Sequence, residues 1–179
     1  MTRITWIILL LFILTGCATQ RIPFPETELS RITIKGDHTI QGEIFLIDQF
    51  EEKQVGIEQE VTLEPVSSYS DQWYTVSYLG NRSIKKADPR YEQYVARTQS
   101  DKEGKFSITG VAPGEYYLTG TVGWHAVNCS SEVVVTNVPI SNKLTVDNTN
   151  RILEVKLTKP YNSPTLICDL YNQGDWDKN

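Results

Sequence analysis

TQSDKEGKFSITGVAPGEYYL, from Thr98 to Leu118, reads as turn, strand, turn, strand. Asp101-Lys102-Glu103-Gly104 is a polar turn that ends in glycine. Lys105 to Thr109 then alternates, with Phe106 and Ile108 on one face and Lys105, Ser107 and Thr109 on the other. Ala112-Pro113-Gly114 supplies a second turn, proline presetting φ and glycine admitting a positive φ. From Glu115 to Trp124 the period of two continues. It puts Tyr116, Leu118, Gly120, Val122 and Trp124 on one face and Tyr117, Thr119, Thr121 and Gly123 on the other.

The same alternation spreads outward. Strands are expected to begin near Arg31–Ile34, with a turn at Gly36-Asp37. Ile40–Ile47 is apolar on both faces, as for a central strand. Asp48–Lys53 is an acidic loop, and Gln59–Val66 alternates again with Val61 and Leu63 inward. Beyond Trp124, Val133–Val135 continuing into Val138–Ile140, and then Ile152–Leu157, complete some seven or eight short strands. This pattern, with Gly/Pro turns and almost no helical period, predicts an all-β, antiparallel β-sandwich over residues 30–158.

Residues 67–96 break the pattern as an insertion. Tyr69, Trp73, Tyr74, Tyr78, Tyr91 and Tyr94 fall there with Arg82, Lys85, Lys86 and Arg90. Trp73–Leu79 has the residues of a further strand. Asp88-Pro89 is a helix start, a capping carboxylate followed by proline at the first helical position. A short helix to about Ala96 would set Tyr91, Tyr94 and Val95 on one side. Tyrosine, tryptophan and arginine concentrate in contact surfaces because they bring large area and directional bonds. Tyr69, Trp73, Tyr74, Tyr78, Arg82 and Tyr91 are therefore the candidate partner-binding residues. The competing reading is that some of these aromatics roof one end of the sandwich.

The chain opens with Arg3 and the apolar run Ile4–Leu14, the length of a signal-peptide core and short of the ~20 residues a spanning helix needs. Residues 1–16 are assigned to a leader, 17–29 to a Pro-containing tether and 159–179 to a C-terminal tail. Lys and Arg number 17 against 22 Asp and Glu, for a net charge of −5. That balance, with no basic stripe, argues against nucleic acid and against a broad electrostatic grip on anionic lipid. Cys129 and Cys168 form a disulfide candidate in an exported chain, the alternative being two free thiols. Metal ligation is not expected from two cysteines without a CxxC and from isolated His38 and His125, and no cofactor is implied.

Two resemblances carry the reading further. Leu14-Thr15-Gly16-Cys17 resembles the lipobox of bacterial lipoproteins, in which the cysteine is acylated and becomes the N-terminus. This implies a membrane anchor at Cys17, and Ala18 in place of aspartate implies the outer rather than the inner membrane of a Gram-negative envelope. Thr98, Asp101, Gly104, Phe106, Val111, Pro113, Gly114, Tyr116 and Leu118 resemble the signature of carboxypeptidase regulatory-like domains. Gln41–Ile44 is similar to that family's opening strand and Val61–Leu63 to its middle strand. The family implies a transthyretin-like sandwich that is usually a non-catalytic appendage. The HxxE pair of the peptidases it accompanies is missing, as are the several histidines of transthyretin-related hydrolases and the G-x-S-x-G elbow. The expected function is a non-catalytic, lipid-anchored envelope module that acts through its loops, either binding a protein partner or serving as a structural element. The alternatives are a transthyretin-like outer-membrane lipoprotein of a secretion machine, or a carbohydrate-binding module with a sugar platform on Trp73 and Tyr74. An enzyme is the least favoured class.

Overall fold

The computed structural model describes residues 18–48, 50–127 and 132–159. Two sheets face each other across a single apolar core. In the first, the long strand β1 (Lys35–Ile47) is the hub. It pairs antiparallel with β5 (Lys105–Val111) along Lys35–Glu43 and with the short β2 (Lys53–Val55) at Phe45–Ile47. The second sheet runs β4-β3-β6-β7, with β3 Glu60–Pro65, β4 Ala96–Gln99, β6 Gly114–Val127 and β7 Val133–Val146. The expected all-β sandwich is therefore what the chain forms. One pair departs from the antiparallel expectation: β8 (Ile152–Leu157) lies parallel to β1, Gly42 opposite Val155.

The alternations explain the layers. Ile40, Ile44, Val61, Leu63, Phe106, Ile108, Tyr116, Leu118, Val122, Ile140 and Leu157 point inward and are buried. Their neighbours along each strand face out, which fixes register, since a slip of one residue would turn each set to solvent. Pro139 lies within β7, and that strand is an edge of its sheet. An edge tolerates the missing N–H.

The signature stretch is turn chemistry. Asp101 Oδ1 accepts from the backbone N–H of Glu103 and of Lys105, at 2.9 and 2.8 Å. Gly104 then takes φ +76° beside β1, where a Cβ would stand 2.8 Å from the Ile44 carbonyl. Tyr116 Oη donates to the Ala112 carbonyl at 2.7 Å and clamps the second turn from inside. The expected turn at Gly36-Asp37 is instead an irregularity within β1, where Lys35 and His38 both stand opposite Val111.

Candidate binding surface

The insertion starts where β3 stops. Ser67 caps α2 (Ser68–Trp73) in a capping box: its hydroxyl accepts from Ser70 N–H, and Ser70 Oγ accepts from Ser67 N–H. Such a box satisfies two backbone donors that a helix start leaves open. Trp73–Leu79, expected as a strand, is helical. After Trp73 the chain widens into a π-helix, Tyr74–Leu79. The aromatic and β-branched content of this segment favours extended chain, but a capped helix already formed upstream carries on through it. Asp88 does start a helix, the 3₁₀ turn Pro89–Tyr94, and its side chain accepts from Arg90 N–H. Those bonds from Arg90, side chain first and backbone second, hold the Asp88 carboxyl below its usual range.

The insertion lies on the outer face of the second sheet, and its aromatics divide into two groups. Tyr69 and Tyr91 are 1% and 5% exposed and build a second, smaller core with Leu29, which is fully buried. Ile22, Phe24, Ile32, Tyr94 and Val95 pack around it. Rings meet edge-on between Phe24 and Tyr69 at 6.0 Å and tilted between Tyr69 and Tyr91 at 4.9 Å. Tyr69 Oη accepts from Asp88 N–H at 2.7 Å. These two tyrosines are therefore core residues, and a partner cannot reach them. The wide π turn and α2 bring the other group together. Tyr74 stacks on Tyr117 of β6 at 4.5 Å, Tyr78 tilts against Tyr74 at 5.1 Å, and Trp73 stacks on Tyr78 at 6.2 Å. Trp73, Tyr74 and Tyr78 are all partly exposed, so the strip runs from the sheet outward to water. Tyr117 anchors its inner end by donating to Asp71 Oδ1 at 2.7 Å, and burial with the Asp71 carboxylate pushes its phenol up.

The N-terminal segment completes this layer. Residues 17–29 were expected as a tether, yet from Thr19 the chain is bonded to the insertion. Thr19 N–H donates to Ser83 O at 2.8 Å, and Lys85 N–H donates to Thr19 O at 2.9 Å. Arg21 stands over the Tyr69 ring at 4.7 Å and donates to the carbonyls of Lys85 and Tyr69. Gln72 holds Gln20 O and Ile22 N–H, and Glu28 Oε1 accepts from Ser68 N–H. Leu29 closes the short helix α1 (Glu26–Leu29) against the tyrosines. A segment with Pro23 and Pro25 looks like a linker, but Ile22, Phe24 and Leu29 carry the apolar surface that a linker does not need.

Under this roof, Glu64 on β3 faces the same side as Tyr117, its partner in register. Burial raises its carboxyl above the ordinary value, partly offset by Tyr91, Arg21 and Arg97. The Tyr91 phenol is pushed far up, by burial first and by Glu64 second. Its buried hydroxyl has no partner in hydrogen-bonding geometry, although Glu64 and Ser70 stand near enough to act on it.

Elsewhere, a shallow depression of about 480 Å³ opens around Gly42 on the first sheet, rimmed by Gln41, Glu43, Lys105, Glu154 and Lys156. Among the described residues no group of three or more His, Cys, Asp or Glu could hold a metal ion, and no helix is long and apolar enough to cross a membrane. Arg82 is exposed, in the loop that follows Leu79. Cys17, Cys129 and Cys168 lie outside the described residues, so the anchor and the disulfide rest on sequence alone. Sequence reasoning missed Tyr117, whose signal was an aromatic on the outward face of β6. It also missed Phe24, Arg21 and Leu29.

No family model matches the chain, and no curated protein does. Among solved structures it is similar to a candidate carbohydrate-binding protein from Pseudomonas aeruginosa, at 24% identity with a TM-score of 0.66. The match covers 78% of this chain and 99% of that one. It also overlaps a 9R-lipoxygenase from Cyanothece at 13% identity and a TM-score of 0.36, over 81% of this chain and 18% of the other. The first likeness defines a class by fold, a β-sandwich shared along nearly the whole length of the Pseudomonas protein.

Proposed function

We propose that this chain is a non-catalytic binding module of the bacterial envelope, acylated at Cys17 and held at the outer membrane, that engages an envelope protein partner through its aromatic strip. One observation carries the reading. Among the insertion's aromatics, Tyr69 and Tyr91 are consumed by packing, while Trp73, Tyr74 and Tyr78 are stacked, partly exposed and backed by Tyr117. Rings already held in place bind with little loss of side-chain entropy. A row of them at the edge of water supplies the anchors on which contact surfaces depend.

A carbohydrate ligand is the second reading. The near-parallel stack of Trp73 and Tyr78, with an interplanar angle of 19°, supports it as a flat apolar face for a sugar ring. So does the description of the Pseudomonas protein.

The test is a Trp73→Ala/Tyr78→Ala protein compared with the parent for cross-linking in envelopes and for binding to a glycan panel. Loss of a protein cross-link with glycan binding absent throughout supports the first reading, and loss of glycan binding supports the second. A variant that keeps its fold and every partner of the parent rules out the strip.

A further inference from the structure

The joint between the N-terminal segment and the insertion has a consequence for the membrane. In a chain of net charge −5, no acidic residue occurs between Gln72 and Ala87, nor between Ala18 and Pro25. These are the two stretches that Thr19, Ser83 and Lys85 bond together. The loop after the π-helix carries Arg82, Lys85 and Lys86, all exposed. No ion pair engages their side chains among the described residues, whereas nearby Arg90 is bonded to Asp88 and paired with Glu26. Leu79, at the head of the loop, is 63% exposed. Three unpaired cations beside an exposed leucine suit the headgroup region of an anionic bilayer, with phosphates for the charges and the acyl boundary for the leucine.

The length of chain on the N-terminal side points the same way. Two residues of chain span at most about 7 Å. Cys17 is two residues before Thr19, so an acyl anchor there leaves no slack between the bilayer and the Thr19–Ser83 joint. We infer that the loop Leu79–Lys86 is a membrane-docking surface for anionic lipid headgroups, seating the domain on the bilayer in one orientation instead of letting it swing on a tether. This rests on acylation of Cys17, part of the function proposed above. The strip's outer ring, Tyr78, directly precedes this loop. A partner that reaches it therefore does so beside the membrane.

The test uses the full-length acylated protein in vesicles of phosphatidylethanolamine with phosphatidylglycerol, and in vesicles of phosphatidylcholine. The readout is amide exchange of the segment 79–87 by mass spectrometry, which also reports the lipid on Cys17. Exchange is expected to slow at least fivefold on the anionic vesicles relative to the neutral ones, about the factor one cation contributes at such a surface. Arg82→Glu/Lys85→Glu/Lys86→Glu should abolish the slowing, and the corresponding glutamine triple should reduce it. Lys102→Glu, in the turn at the opposite end of β3, should leave it unchanged. Protection of the core strands verifies folding in each variant. Equal exchange on both vesicle types with lipid present on Cys17 overturns this inference alone. Protein recovered from membranes without lipid on Cys17 overturns it together with the anchoring on which it rests.

Discussion

Leu29→Ala tests whether the N-terminal segment belongs to the fold. Leu29 is fully buried between Tyr69, Tyr91 and the chain around Ile22 and Phe24. Truncation removes roughly three carbons from an apolar site, about 2–2.5 kcal/mol at ~0.8 kcal/mol per methylene. A cavity adds to this, because rings braced by hydrogen bonds at Tyr69 and Asp88 cannot collapse into the space, so the total should be about 3–4 kcal/mol. In a chain beginning at Ala18, with a urea slope of about 1–3 kcal/mol per molar, the unfolding midpoint should fall by roughly 1–4 M. If the second core opens independently of the sandwich, the global midpoint will stay and the loss will appear locally. The amides of Ser30 and Ile32, bonded to Glu26 O and Leu29 O, should then exchange at least ~100-fold faster. Leu79→Ala, at an exposed site, is the control and should change stability by less than about 0.5 kcal/mol. A Leu29→Ala protein with both the midpoint and these amides unchanged would refute the packing argument and restore residues 17–29 as a tether.

Three further outcomes are expected. Gly42→Ala should cost about 3 kcal/mol or more, since the new Cβ would stand 2.0 Å from the Val155 carbonyl; loss of exchange protection across β1 and β8 together, in a protein with a lowered urea midpoint, is the check. Tyr91→Phe should change stability by less than about 1 kcal/mol, because the hydroxyl it removes has no partner in bonding geometry while its influence on the Glu64 carboxyl is lost with it, and a drop of more than about 2 kcal/mol would contradict this. Glu64 holds its proton more tightly in the folded than in the unfolded chain, so its contribution to stability is full below the ordinary value of 4.5 and falls as pH rises to the raised native value. Glu64→Gln should flatten that part of the stability–pH curve and raise stability at neutral pH; an unchanged slope would remove the burial argument.

The sandwich was legible because its information is local. Alternation at Lys105–Thr109 and Glu115–Trp124 assigns faces, and Asp101, Gly104 and Pro113-Gly114 assign turns that each depend on a few adjacent residues. The direction of β8 was not, because nothing within Ile152–Leu157 distinguishes a parallel neighbour from an antiparallel one. At Trp73–Leu79 the intrinsic preference pointed to a strand and lost to the helix started by Ser67 and Ser70, whose capping pair was present in the sequence and outweighed by the aromatics beyond it. The candidate surface was half legible. Composition located it in residues 67–96, but whether a given tyrosine packs or projects depends on Leu29, Phe24 and Tyr117, which are distant in sequence.

That dependence bears on how the surface can exist at all. The insertion has two short helical stretches and a loop, too little to bury Tyr69 and Tyr91 by itself, and helices this short do not persist alone in water. Sheet β3–β6 covers one side of it through Glu64 and Tyr117, and residues 19–32 cover the other. Removing those residues to obtain a tidier sandwich would expose both buried tyrosines and free Gln72 and Ser68 from their partners, while leaving the first core untouched. A chain starting at Lys35 should therefore keep its strands and lose the order of Trp73, Tyr74 and Tyr78. Partner binding that survived in such a chain would place the site on the sandwich itself, and the depression around Gly42 would be the first place to look.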